Sequence, residues 1–253
     1  MLPYFMSNIH ESELHQVQNW REAQENSKSY VDSELIDSLV TQFKNELSKR
    51  ATFKNRERET VRKCHLLLGW TFSCGGISEP RIADIGGGNG YMFDWIMSAY
   101  PSISPRWTVF ESQEVAIAYS QAWVGTGISF LPSFKFSSKL KFDLTIISCT
   151  LQYLENWEEI LETAFSNSKF VLLMRVPLIN AEENIVYVQN PTGGLYQDAN
   201  ASWPIRFFSR DKFVLKLEQF SDFVFSTYDP EETFPFNGSP HPLETYLLKS
   251  KIK

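Results

Sequence analysis

Three glycines at alternate positions form the part of the sequence with the clearest chemical meaning. Gly86, Gly88 and Gly90 stand in the segment ADIGGGNGYMF, with Gly87 among them and the acidic Asp84 just before. Glycine lets a backbone turn tightly and approach a ligand, because no Cβ is in the way. The helix expected to follow would present unpaired N–H groups and a partial positive charge. The segment therefore predicts a ligand-binding turn, with a purely structural turn as the alternative.

The spacing of these glycines indicates which ligand the turn suits. A dinucleotide-binding turn follows Gly-x-Gly-x-x-Gly, and counted from Gly86 its last position is Tyr91, which disfavours a dinucleotide oxidoreductase. A nucleoside ligand is supported by Glu111, which follows the apolar segment Arg106–Phe110. A carboxylate at the end of a second strand can accept both hydroxyls of a ribose. The alternative for Glu111 is that it only caps the next helix.

The elements that must position these residues are strands and helices in alternation. Expected strands and helices follow one another in the order 81–85, 91–100, 106–110, 112–123, 128–131, 142–148, 153–165 and 170–176. This order predicts a parallel sheet covered by helices on both faces. No crossover helix fits between two closing strands, 222–228 and 245–249, so they should pair antiparallel. The polar stretch 180–205 is expected to be a long functional loop.

These features together resemble the class I methyltransferases that use S-adenosylmethionine (SAM). The acid-x-Gly-x-Gly-x-Gly pattern that starts at Asp84 is similar to their first motif, and Phe142–Ser148 looks like their fourth, whose end faces the transferred methyl group. The resemblance implies an α/β, Rossmann-like sheet at residues 79–253, mostly parallel with an antiparallel last strand. It also implies SAM as the cofactor and S-adenosylhomocysteine (SAH) as the product.

The same resemblance implies which residues contact the cofactor. The acid of the first motif helps to orient the amino-acid part of SAM. Many members carry an acid near the adenine after the third strand, whereas this chain has Leu131, Pro132 and Ser133 there. That contact is therefore missing or made by the backbone. The predicted cofactor residues are Asp84, Gly86, Gly87, Gly88, Gly90, Glu111, Ser112, Leu131, Pro132 and Ser148.

A narrower resemblance points to the acceptor. The segments IGGGNG, CTLQYLENWEEIL, LLMRVPL and SWPIRFFS are similar to a family of methyltransferases found in bacterial surface-polysaccharide loci. The resemblance implies methyl transfer to a hydroxyl of a small sugar-derived acceptor, phosphorylated or nucleotide-linked sugars included, in surface glycan biosynthesis. N-methylation of an amino-sugar is the first alternative. A SAM-fold protein that binds ligand without catalysis is the second.

Four residues are candidates for the chemistry. Methyl transfer is an in-line displacement that depends on positioning, and a hydroxyl acceptor can also need a base. Gln152 and Tyr153 follow the fourth strand, Arg175 ends the fifth, and His241 is the only histidine beyond the glycine turn. Their structural alternatives are helix capping, core packing, an internal salt bridge for Arg175 and a surface position for His241. Cys149 is expected to be a small buried apolar residue.

Three further residues are predicted to contact the acceptor. Tyr30 lies in the N-terminal part of the polysaccharide-locus resemblance, and Trp203 and Arg206 end the stretch expected to close over the pocket. Arginine suits bidentate contact with phosphate or carboxylate. Arg175 and Arg206 therefore favour an anionic acceptor, unless both pair with acids of the protein itself.

The N-terminal region is expected to be a helical extension rather than a separate domain. Apolar residues recur at helical spacing between Val31 and Leu47, and the charged stretch 49–63 fits a solvated helix face. Residues 1–78 offer too few long apolar elements for a core of their own. They are expected to form a lid over the site or the surface of a homodimer.

Composition narrows the remaining classes of function. The net charge of −6 argues against a nucleic-acid partner, because phosphate binding usually needs a basic surface. Three scattered cysteines and four histidines predict neither a disulfide scaffold nor a metal site. No apolar run reaches about 18 residues, and the N-terminus does not read as a signal peptide. The expectation is a cytoplasmic protein without a membrane span.

Overall fold

The computed structural model describes residues 9–28, 33–48, 79–100, 103–134, 140–192 and 194–252. Tyr30 and the charged stretch 49–63 lie outside the described residues. The α-helices are α1 (Trp20–Glu25), α2 (Ser33–Ser48), α3 (Tyr91–Ala99), α4 (Gln113–Ser120), α5 (Trp157–Asn167), α6 (Gly194–Asp198) and α7 (Arg210–Phe220). The strands are β1 (Leu14–Val17), β2 (Arg81–Ile85), β3 (Arg106–Phe110), β4 (Ile128–Leu131), β5 (Phe142–Ser148), β6 (Ser168–Val176), β7 (Leu178–Ile179), β8 (Ile185–Gln189), β9 (Trp203–Ser209), β10 (Ser221–Phe236) and β11 (Ser239–Ser250).

Seven strands form the main sheet in the order β10-β11-β6-β5-β2-β3-β4. The five strands from β6 to β4 are parallel, whereas β11 is antiparallel to both of its neighbours. The predicted parallel sheet and the antiparallel closing pair are confirmed. From β2 the chain moves outward through β3 to β4 and then returns to β5 on the other side of β2. Ligands of α/β sheets bind at the carboxyl edge at such a switch point.

Helices cover both faces of this sheet because side chains alternate along each strand. Ile82 and Leu144 belong to a buried cluster that includes residues of α2 and α3. Ala83 and Ile147, from the same two strands, belong to a second cluster with residues of α5 and α7 on the other face. All seven residues of β5 are buried, as expected for a parallel strand covered on both faces.

A second, smaller sheet stands where the sequence predicts a long loop. Its order is β1-β8-β9-β7, with β8 antiparallel to β1 and β9. The prediction of a loop at 180–205 is therefore wrong, and Trp203 and Arg206 lie in strand β9. Ile205 and Phe207 of β9 pack with Cys149 and with Phe234 of β10. The small sheet thus covers the carboxyl edge of the main sheet beyond β5.

The described part of the N-terminal region packs onto the rest of the chain. Helix α2 buries Ile36, Val40 and Phe43 in the main core, and its Leu35 and Leu39 contact a second group that includes Trp203. Residues 14–17 form a strand, so the expectation of an entirely helical region is wrong there. A lid function and a homodimer stay predictions. Among the described helices, none combines the length and apolar character that crossing a membrane requires.

Candidate functional site

The glycine turn after β2 has the backbone geometry that only glycine adopts at low cost. Gly86, Gly88 and Gly90 have φ values of +67°, +56° and +74°, in the left-handed region that disfavours other residues. A Cβ on Gly86 would lie 2.3 Å from Cγ2 of Thr150, and a Cβ on Gly87 would lie 2.4 Å from Oδ2 of Asp84. The turn is therefore in close contact with the strand beneath it and with the end of β5.

Asp84 lies directly under this turn and is 1% exposed. It is the penultimate residue of β2. Its Oδ2 accepts a hydrogen bond of 3.2 Å from the indole N–H of Trp107. Burial raises the pKa of Asp84 to about 7; Glu111 adds to this shift and the Trp107 hydrogen bond opposes it. A nearby cation would favour the ionised form.

Glu111 follows β3 and joins the turn to the next strand. One carboxylate oxygen accepts the N–H of Gly88 at 3.2 Å and the other accepts the N–H of Ser112 at 2.9 Å. Its own N–H donates to the carbonyl of Leu131 at 3.1 Å. Burial raises the pKa of Glu111. A carboxylate offers about four lone-pair positions, so two remain for a ligand's hydroxyl groups.

One polar atom beside Glu111 has no partner within the described structure. The hydroxyl oxygen of Ser112 is buried and makes no hydrogen bond. Buried hydroxyls normally find a partner, so this one requires a specific explanation. The exposed Leu131 ends β4 and the exposed Pro132 follows it; the carbonyl of Leu131 accepts the N–H of Glu111. A nucleoside with its ribose at Glu111 would meet these groups.

The end of β5 completes the predicted cofactor edge. The carbonyl of Ser148 accepts a hydrogen bond of 2.9 Å from the hydroxyl of Thr150. Thr150 in turn contacts Gly86 across the switch point between β2 and β5. The structure thus brings Asp84, the glycine turn, Glu111, Ser112 and Ser148 to one edge of the sheet. Thr150 was not predicted, because a threonine after a strand carries no distinctive signal.

Arg175 lies at this edge and forms a buried ion pair. Its Nε is 2.9 Å from Oε2 of Glu232, and the two side chains are 5% and 7% exposed. Cys149 follows β5 beside it, and burial raises the pKa of its thiol to about 11. The side-chain amide of Gln152 donates to the Cys149 sulfur at 3.2 Å. Sequence reasoning missed Glu232, since it belongs to no motif.

Tyr153 and Trp203, predicted separately, meet at a single amide. The Tyr153 hydroxyl and the Trp203 indole N–H donate to Oε1 of Gln189, at 3.2 Å and 3.0 Å. Their rings are edge to face with centroids 6.4 Å apart. Burial raises the pKa of Tyr153 well above its usual value. The phenol is therefore neutral at physiological pH and acts as a hydrogen-bond donor here.

Arg206 and His241 lie in contacts that hold the fold together. Arg206 donates to the carbonyl of Leu154 at 2.9 Å and lies over the ring of Trp20 at 4.4 Å. Burial lowers the pKa of Arg206 to about 10. His241 packs between Phe234 and Phe236, with centroid distances of 5.7 Å and 5.6 Å. The predicted acceptor contact of Arg206 and the predicted catalytic role of His241 stay predictions.

Replacing Gly87 with alanine is expected to lower the free energy of unfolding by about 1–3 kcal/mol. The added Cβ would overlap the Asp84 carboxylate, which has no free space to move into because it is buried. Urea unfolding of the two proteins measures the difference. Gly127→Ala is the matched control, since its Cβ would have no neighbour closer than 3.6 Å. Equal losses for both variants would contradict the geometry of the turn.

Among the described residues, no three His, Cys, Asp or Glu side chains are close enough together to hold a metal ion. The strand order, the antiparallel last strand and the glycine turn define the fold of class I methyltransferases, as predicted.

No protein-family profile matches the chain, and no curated protein sequence matches it.

Several solved methyltransferases have a similar fold. Burkholderia thailandensis 1,6-didemethyltoxoflavin-N1-methyltransferase, solved with 1,6-didemethyltoxoflavin and SAH bound, matches with a TM-score of 0.53 and 12% identity over 94% of each chain. Human N-acetylserotonin methyltransferase in complex with SAM matches with a TM-score of 0.53 and 16% identity, over 92% of this chain and 66% of the human one. The N-terminal domain of EvdMO1, solved in the presence of SAH and D-fucose, matches with a TM-score of 0.51 and 12% identity, over 77% of this chain and 84% of that domain. At these identities the similarity establishes the fold.

Proposed function

We propose that this chain is a SAM-dependent methyltransferase that methylates a hydroxyl of a small sugar-derived acceptor in glycan biosynthesis. The observation that carries the proposal is the arrangement of Glu111 under the glycine turn. Its carboxylate is anchored by the N–H groups of Gly88 and Ser112 and keeps lone pairs for a ribose. The unpartnered hydroxyl of Ser112 lies beside it.

The residues at this edge fit SAM part by part. Asp84 would face the amino-acid part, where an ammonium group favours its ionised form. Glu111 would hold the ribose, and Leu131 and Pro132 would flank the adenine. The end of β5 at Ser148 would lie next to the sulfonium. Bound SAM supplies an activated methyl group; the chain's own residues orient the acceptor and exclude water.

The acceptor would lie beyond β5, under the small sheet. Arg175 is neutralised by Glu232, and Arg206 is engaged with backbone carbonyls and a tryptophan ring. A neutral sugar hydroxyl therefore suits this region better than a phosphate. The structure solved with D-fucose supports a sugar acceptor by analogy of fold. The N-terminal helices, which pack against Trp203 through α2, would help to cover the site.

A binding and transfer experiment tests the function directly. Calorimetric titration of the full chain with SAH is expected to show binding, and NAD is expected to show none. Methyl-labelled SAM is then offered with D-fucose, D-galactose, UDP-galactose and D-glucosamine, the last of which tests N-methylation. Tight NAD binding without SAH binding would overturn the assignment. SAH binding without transfer to any small molecule would favour the non-catalytic alternative.

Replacing Glu111 with glutamine is expected to weaken SAH binding by roughly 10- to 150-fold, the loss of one charged hydrogen bond. Glutamine keeps the size of the side chain, but one end becomes a donor and no longer accepts a ribose hydroxyl. Calorimetry measures the change. Glu114→Gln, an exposed change in the first turn of α4, should leave the affinity unaltered. A Glu111→Gln variant that binds SAH as tightly as the wild type would remove the ribose contact from the proposal.

A further inference from the structure

Two strained residues lie side by side at the carboxyl edge of the main sheet. Cys149 and Arg175 have φ values of +53° and +60°. The other non-glycine residues with positive φ in the described structure are Asn200 and Asn237, a type that tolerates this region. Cys149 bonds through its N–H to the carbonyl of Met174 at 2.9 Å, so it is the lateral neighbour of Arg175. Such strain costs about 1–3 kcal/mol per residue and clusters at functional sites.

A third backbone irregularity brings Glu232 to the same place. In the β10–β11 pairing, Asp229 faces Leu243 and Thr233 faces Pro242, so the residues between Asp229 and Thr233 on β10 are extra. A bulge of this kind redirects a side chain. Here Glu232 is buried against Arg175. The hairpin thereby inserts one carboxylate beside the end of β5.

Stability does not account for this ion pair. Taking two charges out of water costs several kcal/mol per ion, and replacement of a buried pair by apolar side chains is often neutral or stabilising. Cys149, the lateral neighbour of Arg175, belongs to an apolar cluster with Ile205, Phe207, Phe234 and Leu243. The strain and the buried charge therefore call for a role in ligand chemistry.

Among the titratable groups at this edge, Glu232 is the one suited to accept a proton. Asp84 accepts the indole N–H of Trp107, and Glu111 accepts the N–H of Gly88 in the glycine turn. Cys149 is a thiol and Tyr153 a phenol, since burial raises both pKa values. Tyr91 of α3 interacts electrostatically with Arg175, and His241 on the hairpin packs between phenylalanines.

We propose that Glu232 receives the hydrogen of the acceptor's hydroxyl and that Arg175 is a positioning residue that keeps Glu232 oriented toward it. The inference rests on the proposed function and names the acceptor as a neutral sugar hydroxyl. In the transfer step the acceptor oxygen forms a bond to the methyl carbon while the carbon–sulfur bond breaks. The sulfur keeps the electron pair and becomes the thioether of SAH. The hydroxyl proton passes to the Glu232 carboxylate, which later releases it to water.

The test compares Glu232→Gln with the wild type on the probe sugars D-fucose, D-galactose, UDP-galactose and D-glucosamine. Loss of a general base lowers kcat by about 100-fold, while KM for the sugar and the affinity for SAH should stay nearly constant. Glu232→Asp, which keeps the carboxylate on a shorter side chain, should recover part of the rate that Glu232→Gln loses. Arg175→Lys should lower kcat without abolishing activity.

Controls separate this role from a structural one. Glu183→Gln breaks an exposed ion pair with Lys212 and should leave the rate unchanged. Thermal unfolding and SAH titration show whether each variant is folded. If Glu232→Gln binds SAH and keeps the wild-type kcat, the inference fails while the methyltransferase stands. If the wild type binds SAH but methylates no hydroxyl of the four probes, the inference also fails. If the wild type does not bind SAH, the proposed function itself is overturned.

Discussion

Replacing Phe43 with alanine is expected to lower the free energy of unfolding by about 3–5 kcal/mol, the usual cost of removing a fully buried phenylalanine. Phe43 lies on α2, is 1% exposed, and meets the rings of Tyr119 and Trp123 at centroid distances of 5.5 Å and 5.9 Å. These rings belong to the part of the chain that follows β3. The cavity left by alanine would open between α2 and α4, where neither helix can close it alone.

Urea unfolding of the full chain, followed by circular dichroism, measures this change. Ile117→Ala on α4 serves as the control, because that side chain is 53% exposed and its loss should cost little. A Phe43→Ala variant within about 1 kcal/mol of the wild type would show that α2 does not pack on α4 in solution. The result also bears on deletion of the residues before 79. If Phe43→Ala loses much of its free energy of unfolding, deletion of these residues is expected to expose apolar surface and lower activity.

The affinity for SAH is expected to rise with pH up to about pH 7 and then to level off. Asp84 has its pKa raised to about 7, chiefly by burial, so below that pH it is mostly protonated in the free protein. A bound ammonium group favours the carboxylate, and binding must therefore expel a proton at lower pH. The dissociation constant should rise by up to about tenfold for each pH unit below the pKa. Calorimetry at several pH values measures this slope.

The Asp84→Asn variant provides the comparison. It should bind SAH roughly 10- to 150-fold more weakly above pH 7, the loss of one charged hydrogen bond, with a flat pH profile. The folding stability of the ligand-free wild type should change with pH in the opposite sense to its affinity for SAH. A raised carboxyl pKa contributes stability that is present at low pH and is lost as pH rises to about 7. Asp211→Asn, an exposed change on α7, should alter neither property. A pH slope that persists in Asp84→Asn would assign the proton to another group.

Much of the site could be predicted from the sequence because its signals are local. The left-handed turn at Gly86, Gly88 and Gly90 admits few other residues, so its spacing is visible in the chain. Glu111 is the first charged residue after the apolar part of β3, so the end of that strand is visible in the sequence. Strands β2 and β5 are almost wholly buried and read as apolar segments. Strands β2, β3, β4 and β5 begin and end where the sequence predicts. These features depend on neighbours within a few residues.

The strand pairing and the ion pair in the region beyond β5 became visible only in the tertiary structure. Strand β8 pairs with β1 from the start of the chain, and a strand of five residues gives too weak a local pattern to reveal a distant partner. Arg175 could be assigned neither to a ligand nor to a salt bridge until β10 placed Glu232 beside it. That contact depends on a bulge in a hairpin more than fifty residues away in sequence. Burial and charge pairing are properties of the packed chain, and no local sequence pattern encodes which acidic side chain lies beside which basic side chain.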